Sequence, residues 1–176
     1  PRADLNLDQL RQLVRDEGLS QQVNSVIGIN TMPGPTGETN QLSTHPRGIV
    51  LCLGPSRVDA LLQAVAALAQ QNATVIVADQ AAQLVQCLQQ VGMAVAGIDG
   101  SIEAATLTML NEIDAVMSRA QVEQLRAYRI ALAERDGKLI PLICGLDELD
   151  RLIIERHLCI DTTAAGGNAS LIAAGS

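Results

Sequence analysis

The sequence predicts an α/β protein, a Rossmann-like parallel sheet of about five strands with helices on both faces. From residue 48 onward, short aliphatic runs alternate with longer amphipathic runs, and parallel neighbours in a sheet need a crossover connection that helices supply. The short runs are almost wholly apolar, which is typical of strands that are buried on both faces. The chain has 176 residues, 48% of them hydrophobic, with no Phe, no Trp and one Tyr, so the core must be aliphatic.

The first thirty residues predict one or two short amphipathic helices, with a stop at Gly18. Aliphatic residues at helical spacing indicate the first helix: Leu5, Leu7, Leu10, Leu13 and Val14. Val23 and Ile27 indicate a further turn or two. The run TMPGPTGETN cannot continue a helix because Pro and Gly interrupt it, so a loop follows.

After this loop, predicted strands and helices alternate. The strands are GIVLCLG, ATVIVAD, MAVAGI, DAVMS and KLIPLICG, and the helices between them are SRVDALLQAVAALAQQ, QAAQLVQCLQQVG, SIEAATLTMLN and QVEQLRAYRIALAERDG, with LDELDRLIIER as a final helix. Ser56 with Asp59 resembles a capping box, and Asp79 suits the cap of the next helix. The first of these helices carries five aliphatic residues on one face: Val58, Leu61, Leu62, Val65 and Leu68.

Two extended segments, ETNQLSTHP and HLCIDTT, fall outside the alternation and predict a small β-flap beside the main sheet. We therefore expect a helical linker at residues 1–31, a loop and flap strand at 32–47, a Rossmann-like domain at 48–157, and a flap strand with a terminal motif at 158–176. The chain begins with Pro instead of Met, and we expect it to be a segment of something longer.

Composition argues against several classes of partner. The formal charge of −7 repels polyphosphates, and a basic groove with aromatic stacking platforms is absent, so we expect no nucleic-acid binding. The uncharged run 60–78 contains Gln and Asn side chains that lipid penalises, and no signal peptide is evident. We expect a cytoplasmic location without membrane insertion, although the longer protein could associate peripherally with the inner membrane.

The cysteines do not indicate metal or disulfides. Cys52, Cys87, Cys144 and Cys159 are far apart and form no C-x-x-C pair, which favours buried reduced thiols. The two histidines are too isolated for a zinc site.

Motifs of known chemistry are also missing. The first strand-to-helix turn begins at Gly54 and lacks the further glycines of G-x-G-x-x-G, so the dinucleotide fingerprint fails. Asp79 stands where a ribose-binding acid would sit, but a helix cap is the better interpretation. Cys144 follows apolar residues and lacks a polarising neighbour in sequence, and Met93, Met109 and Met117 lie in core-like runs. We expect no catalytic, cofactor-binding or metal residues in this segment.

The runs PGPTGETN, HPRGIVLCLG and RHLCIDTTAAGGNASL closely resemble the C-terminal end of the long forms of proline utilization A, bacterial enzymes that oxidise proline to glutamate. The resemblance implies that the segment follows a proline dehydrogenase domain and an NAD-dependent L-glutamate-γ-semialdehyde dehydrogenase domain. It also implies a degenerate copy of an aldehyde dehydrogenase cofactor domain, with FAD and NAD bound elsewhere in the longer enzyme.

The degeneracy is visible at the matching positions. Ser56 and Arg57 stand where active aldehyde dehydrogenases have a Trp-Asn pair, Ala78 stands where they have a ribose-binding Lys, and Gly145 stands near their general-base Glu. The domain that would carry the nucleophilic Cys is absent. Aldehyde oxidation needs the nucleophile, the base and the oxyanion donor together.

The resemblance implies that a terminal motif docks on the aldehyde dehydrogenase domain and covers the cavity through which the semialdehyde passes. The alternating run HLCIDTT suits strand addition, and the adjacent small residues can lie close on another surface. The motif consists of Asp161, Thr162, Thr163, Ala164, Ala165, Gly166, Gly167, Asn168 and Ser170. We therefore expect a noncatalytic domain that seals the channelling tunnel and supports aldehyde dehydrogenase activity. The alternatives are a nucleotide-binding regulatory domain and an oligomerisation module with homodimer contacts through the flap.

Overall fold

The computed structural model describes residues 7–16, 19, 23 and 26–161. In this part of the chain, a five-stranded parallel sheet carries helices on both faces and a three-stranded antiparallel sheet adjoins it. The predicted fold class is confirmed.

The strands, in chain order, are β1 (Gly28–Met32), β2 (Glu38–Pro46), β3 (Ile49–Cys52), β4 (Ala73–Ala78), β5 (Val95–Asp99), β6 (Ala115–Met117), β7 (Leu142–Ile143) and β8 (Ile153–Asp161). The helices are α1 (Leu7–Asp16), α2 (Arg57–Ala69), α3 (Ala81–Gln90), α4 (Ala104–Leu107) and α5 (Val122–Ala133), and a 3-10 helix spans Leu146–Leu152. The parallel sheet has the order β5-β4-β3-β6-β7. Its chain path therefore reverses direction between β3 and β6.

The core has two aliphatic layers because the strand residues point alternately to the two faces. Val50 and Ile76 pack on the face that α2, α3 and the 3-10 helix cover. Leu51 and Val75 pack on the opposite face, which α1, α4 and α5 cover. Tyr128, the one aromatic residue, belongs to this second layer.

The smaller sheet, here called the flap, has the order β1-β2-β8 with antiparallel pairing throughout. Strand β2 pairs with β8 along its whole length, from Glu38 opposite Asp161 to Pro46 opposite Ile153. Both predicted flap segments form strands as far as the structure describes them, up to Asp161, and β1 adds a third strand that the sequence did not predict.

Two boundaries differ from the sequence expectations. The final helix was expected over residues 146–156, but it ends at Leu152 and the following residues belong to β8. Pairing with β2 determines this boundary, since the backbone N–H of Arg47 donates to the carbonyl of Leu152 at 2.9 Å. The prediction of a helical turn at Ile27 is also wrong. The backbone N–H of Ile27 donates to the carbonyl of Thr44, and the chain continues from there into β1.

The five aliphatic residues predicted to share one face of α2 do not all face the core. Its buried residues are Ala60, Gln63, Ala64 and Ala67. Val58, Leu62 and Val65 are exposed. Small side chains let the helix axis approach the sheet closely, so the larger aliphatic residues lie on the outside.

The expected core positions of two methionines are also wrong. Met117 is buried in β6, whereas Met93 and Met109 are about half exposed because both lie in the connections that follow helices.

Candidate functional site at the carboxyl ends of the strands

A crevice of about 900 Å³ opens at the carboxyl ends of the parallel strands. It lies at the point where the chain path reverses, which is where open α/β sheets bind their ligands. Its walls include Leu53, Gly54, Ala78, Asp79, Gly100 and Tyr128. The fold therefore retains the position of a nucleotide site.

Gly54 is required by packing at this turn. A Cβ atom added to Gly54 would lie 2.2 Å from the backbone nitrogen of Ala60, in the second turn of α2. The residue therefore lets the helix approach the end of β3, which is a structural role that needs no ligand.

The N-terminus of α2 is occupied by the chain's own side chains. The Oγ atom of Ser56 accepts a hydrogen bond from the backbone N–H of Asp59 at 3.1 Å, which confirms the predicted cap. The same hydroxyl donates to the Asp59 carboxylate at 2.5 Å, and a carboxylate oxygen of Asp59 lies 3.6 Å from Arg119. An acidic group thus stands at the helix end where an anion would otherwise bind.

Another contact crosses the crevice mouth. The guanidinium of Arg57 donates to the side-chain oxygen of Gln80 at 2.6 Å, which joins the turns after β3 and β4. Gln80 has a left-handed backbone with φ of 57°. This contact lies beside Ala78, at the position where the resemblance predicts a ribose-binding residue.

Gln80, not the predicted Asp79, is the N-cap of α3, and its side chain makes no capping hydrogen bond. The backbone N–H of Ala82 instead donates to the Asp99 carboxylate at 3.0 Å. Asp99 comes from the end of β5, so the cap connects neighbouring strands and is invisible in the local sequence.

The charge of the crevice is mainly negative. Its lining includes the carboxylates of Asp79, Glu103 and Glu123 against the guanidinium of Arg57. Burial raises the pKa of Tyr128, which keeps its hydroxyl protonated, and a hydrogen bond from Gln124 opposes this shift.

The thiols differ in burial. Cys52 is fully buried in β3, and this burial raises the pKa of its thiol. Cys144 is half-buried, and the guanidinium of Arg129 lies 3.6 Å from its sulfur. Cys159 is exposed on β8. The expectation that the thiols are uniformly buried is therefore wrong. The side chain of Cys87 lies outside the described residues. Cys52, Cys144 and Cys159 form no disulfide with one another.

Metal-ligand clusters and membrane-spanning helices are both missing from the described residues. These residues contain no group of three or more His, Cys, Asp or Glu side chains arranged to hold a metal ion. None of their helices combines the length and apolar character that crossing a bilayer requires.

Of the predicted terminal motif, Asp161 is the last described residue and pairs with Glu38 at the start of β2. The remaining members, residues 162–168 and 170, lie outside the described residues.

A cluster of polar contacts holds the flap to the parallel sheet. The guanidinium of Arg47 donates hydrogen bonds to the carbonyls of Arg151 and Ile153. Burial and the adjacent Arg151 cation lower the pKa of Arg47, whereas the carboxylate of Asp114 raises it. Asp114 accepts from the backbone N–H of Ile49 at 2.8 Å and pairs with Lys138 at 2.6 Å.

Comparison with known proteins supplies the family. No known family profile matches the chain. The bifunctional protein PutA of Escherichia coli strain K12 is 40% identical over 152 residues, which cover 82% of this chain and 11% of that protein. The chain is a homologue of a segment of proline utilization A. It spans about a tenth of the length of the PutA proteins that it matches.

Solved structures agree. A crystal structure of bifunctional proline utilization A matches with a TM-score of 0.55 and 30% identity, covering 72% of this chain and 14% of that chain. The apo structure of indole-3-acetaldehyde dehydrogenase matches with a TM-score of 0.57 at 16% identity, covering 68% of this chain and 30% of that chain. The second match shows the aldehyde dehydrogenase fold alone.

Three positions that the resemblance matches to residues in or near the active site of aldehyde dehydrogenases have structural roles in this chain. Ser56 caps α2, and Ala78 is a buried residue that ends β4. Gly145 precedes the 3-10 helix, and a Cβ atom there would lie 2.1 Å from a carboxylate oxygen of Asp147. A glutamate at Gly145 would therefore require Asp147 to move.

Proposed function

We propose that this segment is a noncatalytic domain of a proline catabolic enzyme of the proline utilization A type. It packs on the aldehyde dehydrogenase domain of the same polypeptide, here called the parent chain, seals the channelling tunnel and supports aldehyde dehydrogenase activity. The domain organisation predicted above, with the Rossmann-like region at 48–157 and the terminal motif after residue 157, belongs to this proposal.

The observation that carries the proposal is the closed N-terminus of α2. A bound pyrophosphate would need the free N–H groups and positive end of this helix. Ser56 and Asp59 use one of those N–H groups and add a negative charge, and Arg57 is bonded to Gln80. These residues do not fit a dinucleotide, so we derive no cofactor chemistry from the crevice.

The environment of Cys52 also supports a noncatalytic role for this residue. A nucleophilic cysteine needs access to solvent and a polarising partner. Cys52 has neither, because it is fully buried in an aliphatic layer and its raised pKa keeps it protonated. The resemblance matches Arg57 to the oxyanion-stabilising Asn and places Gly145 near the general-base Glu, so this segment lacks two of the groups that aldehyde oxidation needs.

The flap supplies a physical route for the docking. Strand β8 is an edge strand of the flap as the structure describes it, with most of its side chains exposed. An edge strand presents unpaired backbone groups to which a neighbouring sheet can add. β8 also leads directly into the terminal motif, so both elements would meet the same partner.

In the parent chain we expect FAD to serve proline oxidation and NAD to serve aldehyde oxidation, both bound outside this segment. The parent is expected to be cytoplasmic, and the aldehyde dehydrogenase domain is the expected partner.

The test is a truncation of the parent chain after Asp161, which keeps all of β8. We expect lower aldehyde dehydrogenase activity and a longer lag in coupled turnover of proline to glutamate, with proline oxidation unchanged. A control that lacks only residues 172–176 retains the motif and should behave as the full chain. Unchanged coupled turnover after the longer truncation would contradict the proposal.

Among the described residues, β1 and β8 form the two edges of the flap, and this favours self-pairing as a second candidate function. Light scattering of the 176-residue chain distinguishes the two. A concentration-dependent dimer that depends on β8 would support an oligomerisation module, and a monomer at all concentrations would exclude it.

A further inference from the structure

The outer face of α2 consists of Val58, Leu62, Val65 and Ala69, spaced as one stripe along the exposed side of the helix. Val58 is 65% exposed, Leu62 47% and Val65 48%. The sequence carries no charged residue from Ala60 to Gln71. A helix on the surface of a domain ordinarily places charged and polar residues on this side.

In its middle, α2 buries a polar residue and exposes two large aliphatic ones. Gln63, the polar residue in the middle of α2, is 2% exposed, and neither its side-chain oxygen nor its nitrogen has a hydrogen-bond partner within the protein. Leu62 and Val65, which flank it, point outward. An isolated domain would be more stable if Gln63 were exposed and Leu62 and Val65 were buried. Burial of an unpaired amide costs free energy, whereas burial of aliphatic groups is favourable.

The neighbouring helix α3 on the same side of the sheet shows the ordinary pattern. Its exposed positions include Gln83, Gln86 and Gln90. The sequence of α3 is also free of charge, so the exposure of large aliphatic residues, and not the lack of charge, distinguishes α2 from α3. Depletion of charge around exposed aliphatic residues is typical of the central part of a protein interface.

We propose that the outer face of α2 docks on another part of the parent chain, against an apolar surface that carries no charge. The stripe is much smaller than the roughly 20 to 30 residues per side that hold two separate proteins together. A tethered partner acts at an effective concentration of about a millimolar, so a small apolar contact suffices within one polypeptide. Since the matched PutA protein extends far beyond this segment, most of such a chain is available to supply the surface.

This contact is distinct from the one proposed for the terminal motif, because α2 lies against the parallel sheet and the motif follows the flap. It rests only on the segment being part of a longer polypeptide. Failure of one proposal therefore leaves the other standing, and separate variants test them.

The experiment measures thiol labelling of the folded parent chain at Leu62→Cys, followed peptide by peptide with mass spectrometry so that native cysteines do not interfere. Gln86→Cys on α3 is the matched control, and Val65→Cys is a second probe on the same stripe in case Leu62→Cys fails to fold. We expect labelling at residue 62 or 65 to be slower than at residue 86 by roughly tenfold or more, relative to the rates in the unfolded chain, because a covered thiol reacts only when the contact opens.

Equal labelling of the stripe and the control overturns the proposal. Protection that disappears when the parent chain is diluted identifies a second copy as the occupant, and protection that disappears on truncation after Asp161 identifies the chain's own terminus. Both results also overturn it. Protection that survives dilution and truncation supports an intrachain partner.

Discussion

The side-chain oxygen of Asn72 accepts a hydrogen bond from the backbone N–H of Gly48 at 3.0 Å, although 24 residues separate them. The amide nitrogen of Asn72 donates to the carbonyl of Leu152 at 3.1 Å. One buried side chain therefore connects the start of the parallel sheet, the end of α2 and the end of the 3-10 helix that leads into β8. Together with the contacts of Arg47, this side chain attaches the flap to the sheet.

Replacement of Asn72 by Ala should lower the free energy of unfolding by about 2–3 kcal/mol, because buried backbone groups at Gly48 and Leu152 lose their partner. Urea denaturation of the 176-residue chain measures this. Gln83→Ala, at an exposed position of α3, should change stability by less than about 0.5 kcal/mol. Equal effects of the two substitutions would show that Asn72 does not hold the junction.

Gly48 and Gly92 form a matched pair for separating crowding from backbone strain. Both have positive φ, 140° and 77°. A Cβ atom at Gly48 would lie 2.0 Å from a carboxylate oxygen of Asp114, whereas one at Gly92 would meet nothing within 4 Å.

We expect Gly92→Ala to cost about 1 kcal/mol from backbone strain, and Gly48→Ala to cost about 2–4 kcal/mol because Asp114 must also move. Thermal unfolding of both variants measures the difference. If Gly48→Ala proved no more costly than Gly92→Ala, the carboxylate of Asp114 would have to be mobile.

The cap of α2 predicts a third result. Ser56→Ala removes the acceptor for the N–H of Asp59 and should lower stability by about 1 kcal/mol, whereas Ser56→Gly should cost only a few tenths. Denaturant titration of both variants measures these costs. A neutral Ser56→Ala would mean that solvent replaces the cap without loss, and the argument that Ser56 closes this helix end would weaken.

The alternation of aliphatic and amphipathic runs was sufficient to predict the parallel sheet, because a strand buried on both faces leaves a local signature. The local sequence does not show which face of α2 packs on the sheet. Leu62 and Ala64 are both apolar, and the choice between them depends on how closely the helix packs on β3 and β4. The end of the last helix at Leu152 likewise depends on pairing with β2, more than a hundred residues away in the chain.

For the candidate site, the sequence predicted the Ser56 cap and showed the loss of the glycine fingerprint, since both depend on local residues. The Asp99 cap on Ala82 and the Arg57 contact with Gln80 join different strand ends, so only the folded chain brings them together. The terminal motif beyond Asp161 stays a prediction.

The buried thiol of Cys52 predicts how stability responds to alkaline pH. Burial raises its folded-state pKa above the unfolded value of about 8.5, so above that pH the unfolded chain loses a proton that the folded chain keeps. Its contribution to stability is complete below pH 8 and declines as the pH rises. At pH 9.5 the loss of stability should be about 1.4 kcal/mol.

Urea denaturation under reducing conditions compares Cys52→Ala with the unaltered chain. The variant should lack this part of the decline in stability and share the rest. Parallel pH profiles for the two chains would show that Cys52 ionises in the folded state, and hence that the aliphatic layer around β3 admits water.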